Sequence, residues 1–317
     1  MLDSKFPAIF LSAMYSFWLA FVLPLNGFKD RDSYLIYAER SWEFFSGFFN
    51  QSLILVFTNE PLFLFVNYFL SLFFTPDFTL RVLISIFSFL FAYSILSHNK
   101  KVFIWLLLLL FLPQVLKNNV MQLRQGYAVA IFCFAWLCVN GKIRWFLIAL
   151  TPFMHASFFI VLFFLFWYRV FSHMKLSFGI RSFLVGAIAF GSSIMILNIA
   201  EILGARQGLR YSSVDLNVSG YAFLFWLLVF GLFLTQPKAW FREHGFPVVT
   251  LLIYLIFYFS FPLSGRIFES TLPLVFIAGF SMVGLKRYAF NFLFLFYFCY
   301  QYYVSVQQPF LGFSSST

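Results

Sequence analysis

Trp105-Leu-Leu-Leu-Leu-Leu-Phe-Leu112 is a run of eight apolar residues with no polar position in it. A strand of a membrane barrel alternates lipid-facing with lumen-facing side chains, so a run of this kind does not fit one. In lipid every backbone polar group has to be satisfied internally, which leaves only helices and closed barrels. The run therefore reads as helix. Similar stretches recur from Phe6 to Tyr303, and about 20 apolar residues make one crossing. The composition agrees: of 317 residues 62% are hydrophobic and only 10% charged. A soluble domain carries about 25% charged residues, which cover its surface. The expectation is an all-α, polytopic transmembrane helical bundle with about 10–12 spans, forming one integral membrane domain over 1–317.

Spans are expected at about 6–25, 60–76, 79–97, 102–117, 120–139, 182–200, 219–236, 246–262, 268–285 and 290–305. The stretch 142–169 is expected to break at Thr151–Pro152 into two short pieces around His155, because proline removes a helical hydrogen bond. The first apolar segment is long for the core of a signal peptide, and no small-residue cleavage site follows, so it reads as an uncleaved span. Lys and Arg cluster at His98–Lys101, Gly141–Arg144, Tyr168–Arg181, Lys238–Arg242 and Lys286–Arg287, and short basic loops stay in the cytoplasm. The alternating loops 117–124, 201–218 and 263–267 then fall outside, as does the tail 306–317. Before residue 98 the parity requires an extra short crossing or a re-entrant element within 44–58, and the residues do not choose between them.

Arg124, Arg206, Arg210 and Arg266 map to the outer side, where that rule expects few arginines. Such residues are costly near a membrane and commonly mark a substrate path. One alone reads as a snorkelling anchor or a partner of Glu201, Asp215 or Glu269. Several on one face point to an anion site, since the planar guanidinium fork matches phosphate oxygens. A charge pair at 4 Å in an effective dielectric of ~20 is worth about 4 kcal/mol. Asn118 and Asn119 are expected to cap the span that carries Arg124, adding its amides and the positive end of its dipole.

Acid–base candidates lie on or near the same side. The most polar segment, Lys29-Asp-Arg-Asp-Ser-Tyr-Leu-Ile-Tyr-Ala-Glu-Arg-Ser-Trp-Glu43, reads as an amphipathic interfacial helix within an external segment of about 26–58. Glu60 opens the next span in Asn59-Glu60-Pro61. His155 sits in the broken segment, where a structural histidine and a functional one are both open readings. Arg266 and Glu269 are three apart, the spacing of a local ion pair. The 53 phenylalanines read first as compositional bias. Cys133, Cys138 and Cys299 form neither a pair nor a metal set by spacing. A phosphate-binding lysine loop, a dinucleotide glycine fingerprint, an HExxH pair and an inverted repeat are all absent. No cofactor, metal or nucleic-acid partner is expected.

The stretch Asn118-Asn-Val-Met-Gln-Leu-Arg124-Gln125-Gly-Tyr-Ala128, then Gly141-Lys142, then Phe153-Met-His155-Ala-Ser157, resembles the Wzy-type O-antigen and capsular polysaccharide polymerases, in particular their EpsG-like branch. Asp32-Ser-Tyr-Leu-Ile-Tyr37, Glu60-Pro-Leu-Phe63 and Gly265-Arg266-Ile-Phe resemble weaker elements of that family in the same order. The resemblance covers about residues 25–290, and the Arg124–Ser157 block is its specific part; the external loop, 201–218, is shorter than in many such enzymes.

The resemblance implies a GT-C-like bundle in a bacterial inner membrane with its active site toward the periplasm. The substrate would be an undecaprenyl-diphosphate-linked oligosaccharide, and the growing glycan would pass to a sugar hydroxyl of the next lipid-linked repeat. Arg124, Gln125, Arg210 and Arg266 would bind substrate, and Glu60, Asp32 or His155 would take the acceptor proton. Membrane lipids surround the chain, and any chain-length regulator would be a separate protein. An O-antigen ligase, or a lipid-linked glycan flippase or transporter, is the alternative. Ligases usually carry a larger external domain, and a flippase would place charges at several depths rather than near the faces.

Overall fold

The computed structural model describes residues 6–24, 27–28, 30–193, 195 and 220–308. Among them are fifteen α-helices and no strand, so the chain is all-α. They pack as two compact units: the described parts of Met1–His155 with Phe296–Thr317, and Ala156–Leu295. Arg206 and Arg210, with Glu201 and Asp215, lie outside the described residues.

The first unit contains α1 (Phe6–Phe17, continued by a π turn, Trp18–Val22), α2 (Arg31–Gln51), α3 (Leu53–Thr58), α4 (Pro61–Ser71), α5 (Pro76–Leu96), α6 (Phe103–Leu110), α7 (Pro113–Val120), α8 (Leu123–Cys138) and α9 (Gly141–Met154). Proline opens α4, α5 and α7, where its missing N–H costs nothing because the first amides of a helix have no partner within it. α5 is central, packed against α1 and α8, while α2 lies on α4 and α9 on α8. Only α5 is by itself long and apolar enough to cross a bilayer among the described residues.

Three expectations change in this unit. The stretch 102–117 is two helices rather than one, because Lys100–Leu110 and Pro113–Val120 bend by 65°. Pro113 supplies no N–H, and the amides of Phe111 and Leu112 close short turns onto Leu108 and Leu109. The carbonyls stranded at the bend are satisfied from elsewhere in the unit. Tyr15 Oη donates to Leu110 O at 2.9 Å, and Tyr302 Oη donates to Phe111 O at 2.6 Å. Broken helices persist at membrane depth on this condition.

The second change concerns Thr151–Pro152: the stretch does divide into two helices around His155, but past the proline, since α9 runs through Pro152 to Met154 and the next helix begins at Ser157. The carbonyl that Pro152 leaves free, four residues back at Ile148, accepts a hydrogen bond from Thr151 Oγ1 at 2.7 Å. Third, Asn118 and Asn119 do not cap α8. Both lie buried inside α7, and Gln122 occupies the cap position. Asn119 Nδ2 donates back to Val115 O at 3.0 Å and to Tyr15 Oη at 3.4 Å.

The polar segment is helical beyond residue 43, since α2 continues to Gln51 with a kink at Arg40 (φ −121°, ψ 21°). The helix that follows it, α3, has six residues, about 9 Å of helix. Asp77 at the start of α5 holds the beginning of α2, accepting from Arg31 Nη2 at 2.7 Å and Arg81 Nε at 2.9 Å. Arg81 Nη1 also donates to Ala20 O in the π turn at 2.7 Å. One carboxylate and two arginines thereby tie α1, α2 and α5.

The second unit contains α10 (Ser157–His173), α11 (Phe178–Ser193), α12 (Gly220–Leu234), α13 (Trp240–Phe257), α14 (Ser264–Phe280) and the first half of α15 (Leu285–Val306). α13 packs against α11, α12 and α14. Close approach here depends on glycine: a Cβ at Gly279 would overlap the Phe290 ring. None of the three cysteines is in a disulfide.

Candidate functional site

The site is built at the start of two helices of the first unit. Arg124 is the second residue of α8. The chain reaches it through the α7–α8 corner, which is tight: a Cβ at Gly126 would overlap the carbonyl of Asn118. Glycine is therefore required at that position by contact between backbones, and the contact sets the direction in which α8, and with it Arg124, sets out.

Glu60 immediately precedes α4 and adopts the left-handed conformation (φ 62°, ψ 52°), which costs a residue bearing a Cβ on the order of 1 kcal/mol. Its carboxylate does not cap α4. Instead it is buried, at 4% side-chain exposure, and forms an ion pair with Arg124, 64 positions along the chain. A strained backbone holding a buried charge has to be over-determined by its surroundings, and here the pair and the close-packed walls supply that.

His155 follows α9 as its last cap, and its Nε2 stands 3.9 Å from Glu60 Oε1. That is beyond a direct hydrogen bond, yet close enough for the two groups to address one hydroxyl. Phe57 of α3 packs on Phe153 of α9 at 6.0 Å between ring centres, which keeps the start of α4 beside the end of α9.

α2 closes the site with two tyrosines. The guanidinium of Arg124 lies over the Tyr37 ring, 5.4 Å from its centroid, a cation–π contact that favours the charged form. Tyr34 is buried, within electrostatic reach of Arg124 and Glu60. Burial pushes the Tyr34 phenol above its usual range while Arg124 pulls it down, and the net effect keeps its proton in place. Phe63 packs edge-on against both tyrosines, and Tyr127 of α8 stacks on Phe87 of α5 at 4.2 Å.

Of the residues singled out from sequence, Glu60, Arg124 and His155 are brought together. Gln125 is buried beside Arg124, but one residue on it lies about 100° round the helix. Asp32 is exposed in the first turn of α2, and two residues from Tyr34 it lies on the opposite face from that ring. Arg210 lies outside the described residues, and Arg266 belongs to the second unit, in the first turn of α14 with Glu269 one turn on. Tyr34, Tyr37 and Tyr127 were not proposed as site residues. Their signal was the spacing of three that separates Tyr34 from Tyr37 and Arg124 from Tyr127, which puts each pair on one helix face.

No group of three or more metal-ligating side chains occurs among the described residues. Comparison of the chain with protein-family models, curated proteins and solved structures gave no match. The arrangement can hold one anion on Arg124 and receive one proton on Glu60 or His155.

Proposed function

We propose that the chain is a multi-pass protein of a bacterial cytoplasmic membrane and a Wzy-type polysaccharide polymerase. It would extend a glycan carried on a prenyl diphosphate. The observation that carries this reading is the buried Arg124–Glu60 pair with His155 beside it. It unites an anion-binding cation with a proton acceptor in an apolar surrounding.

The membrane reading draws support from the outer surface. Leu285, Tyr288, Phe292 and Phe296 form a continuous exposed stripe along α15, and Phe6, Phe10, Met14 and Phe17 another along α1. Apolar patches of this extent are foreign to soluble monomers. The bent pair α6–α7, its free carbonyls covered by tyrosine hydroxyls, suits a broken span.

In the proposed step the acceptor hydroxyl oxygen forms a bond to the anomeric carbon of the donor glycan. The bond from that carbon to the diphosphate oxygen breaks, and the prenyl diphosphate leaves with the electron pair. The hydroxyl proton passes to Glu60, or to His155 beside it. Arg124 offsets the charge that grows on the leaving oxygen, an effect worth more in a water-poor site than in solvent. A diphosphate that draws Arg124 to itself also frees the Glu60 carboxylate, so donor binding would unmask the base. The step is argued on Arg124 alone among the arginines.

The test is genetic. Surface polysaccharide from the native host is compared on a gel for wild type, a deletion, and the deletion complemented with wild type or Arg124→Ala. The reading expects a ladder that collapses to a single core-plus-one-repeat band and returns with wild type only. An unchanged ladder in the deletion would refute it. Complete loss of capped core would instead indicate a ligase or flippase.

A further inference from the structure

Tyr127 is one of the buried polar groups of this unit left without a hydrogen-bond partner among the described residues, and it lies on the Arg124 face of α8. It sits one turn after Arg124 on α8, at 1% exposure, with its ring held between Phe87 and Phe63 at 4.2 and 6.3 Å. Its hydroxyl is buried and has no hydrogen-bond partner among the described residues. Its nearest polar company is electrostatic, the phenol of Tyr34. A buried hydroxyl left unsatisfied costs about 1–3 kcal/mol, and phenylalanine would fill the same space without that penalty. Tyr34 packs on the same Phe63 ring, at 6.2 Å, and lies within electrostatic reach of Arg124, with a proton of its own to donate. Two phenolic O–H groups and one guanidinium therefore stand together, all three donors, with a single carboxylate opposing them.

Resting on the polymerase reading, we propose that Tyr127 and Tyr34 complete an anion cradle around Arg124, in which Tyr127 donates its O–H to a non-bridging oxygen of a prenyl-linked diphosphate. Three donors on a tetrahedral phosphate are more selective than one arginine, because they fix its orientation as well as its charge. The anomeric carbon of the glycan is thereby presented to the acceptor hydroxyl that Glu60 or His155 deprotonates. Neutral phenols suit the task in a low-dielectric site: they donate without adding charge that must be desolvated when the ligand is absent. The cradle accounts for an otherwise costly hydroxyl and for the placement of Tyr34 on the helix that closes the site.

The probe is geranyl diphosphate, with geraniol as the neutral control, titrated by calorimetry into the full chain in mild detergent. Wild type should bind the diphosphate and not the alcohol. Tyr127→Phe, which retains the ring and its packing, should bind about tenfold more weakly while its ligand-free thermal unfolding midpoint rises, and Arg124→Gln should bind more weakly still. Equal binding by wild type and Tyr127→Phe, with loss in Arg124→Gln, would overturn the cradle and leave the site reading standing. No preference for the diphosphate in wild type would overturn both.

Discussion

Replacing Arg124 by glutamine should destabilise the protein far more than replacing Glu60 and Arg124 together. The side chain of Glu60 is 4% exposed and that of Arg124 28%. Without Arg124 the carboxylate stays buried with its charge uncompensated. Breaking a buried pair from one side costs about 3–5 kcal/mol, and the partial exposure of Arg124 argues for the lower end, about 3 kcal/mol. That is about two orders of magnitude in the unfolding equilibrium. The double variant Glu60→Gln/Arg124→Gln removes both charges and keeps hydrogen-bonding capacity, so it should lose only about 1 kcal/mol. The assay is a double-mutant cycle on the full chain in detergent micelles, read by equilibrium unfolding. A coupling energy of about 2 kcal/mol or more is expected. Additive single effects would refute the claim that the pair is buried and coupled, and with it the idea that a ligand competes for Arg124.

Gly126→Ala should cost about 2 kcal/mol or more, because the new methyl meets the Asn118 backbone carbonyl rather than a side chain that can move; a thermal midpoint within a degree of wild type would count against that contact. Tyr15→Phe and Tyr302→Phe each strand a carbonyl at the α6–α7 bend and should each cost about 1–2 kcal/mol by equilibrium unfolding. Thr151→Val should cost about 1 kcal/mol in a wild-type background and little beside Pro152→Ala, which restores an amide to the Ile148 carbonyl; equal costs in both backgrounds would contradict the compensation.

Helix content was legible in the chain because runs such as Trp105–Leu112 exclude any other backbone solution in lipid. Helix ends were legible only where the local signal was complete. Pro61 opens a helix as its position suggests, whereas Pro76, expected to end a span, opens α5 instead. Pro113 opens a helix too, but the apolar run on both sides hid the bend, which depends on hydroxyls from Tyr15 and Tyr302 far along the chain. Pro152 misled for the opposite reason, since the neighbouring Thr151 repairs the bond that the proline removes. Asn118 and Asn119 have cap chemistry, yet Gly126 admits the Asn118 carbonyl against α8 and so keeps both inside α7.

At the site, single residues could be named from their cost near a membrane, but not their neighbours. That Glu60 turns left-handed and reaches Arg124 is a property of packing between α4 and α8. The aromatic wall of Tyr34, Tyr37 and Tyr127 was hidden among sixteen tyrosines in a chain where aromatic residues are common. Apart from the spacing of three within α2 and α8, only contact distinguishes the three from the rest.

The most direct test of the central claim is reconstitution. Lipid-linked repeat units extracted from a deletion strain are added to proteoliposomes holding wild type, Arg124→Ala or Glu60→Gln, and free prenyl diphosphate and glycan length are followed together. Wild type should release one prenyl diphosphate per linkage formed while the glycan lengthens, and both variants should do neither. Lengthening by Arg124→Ala at the wild-type rate would contradict the account.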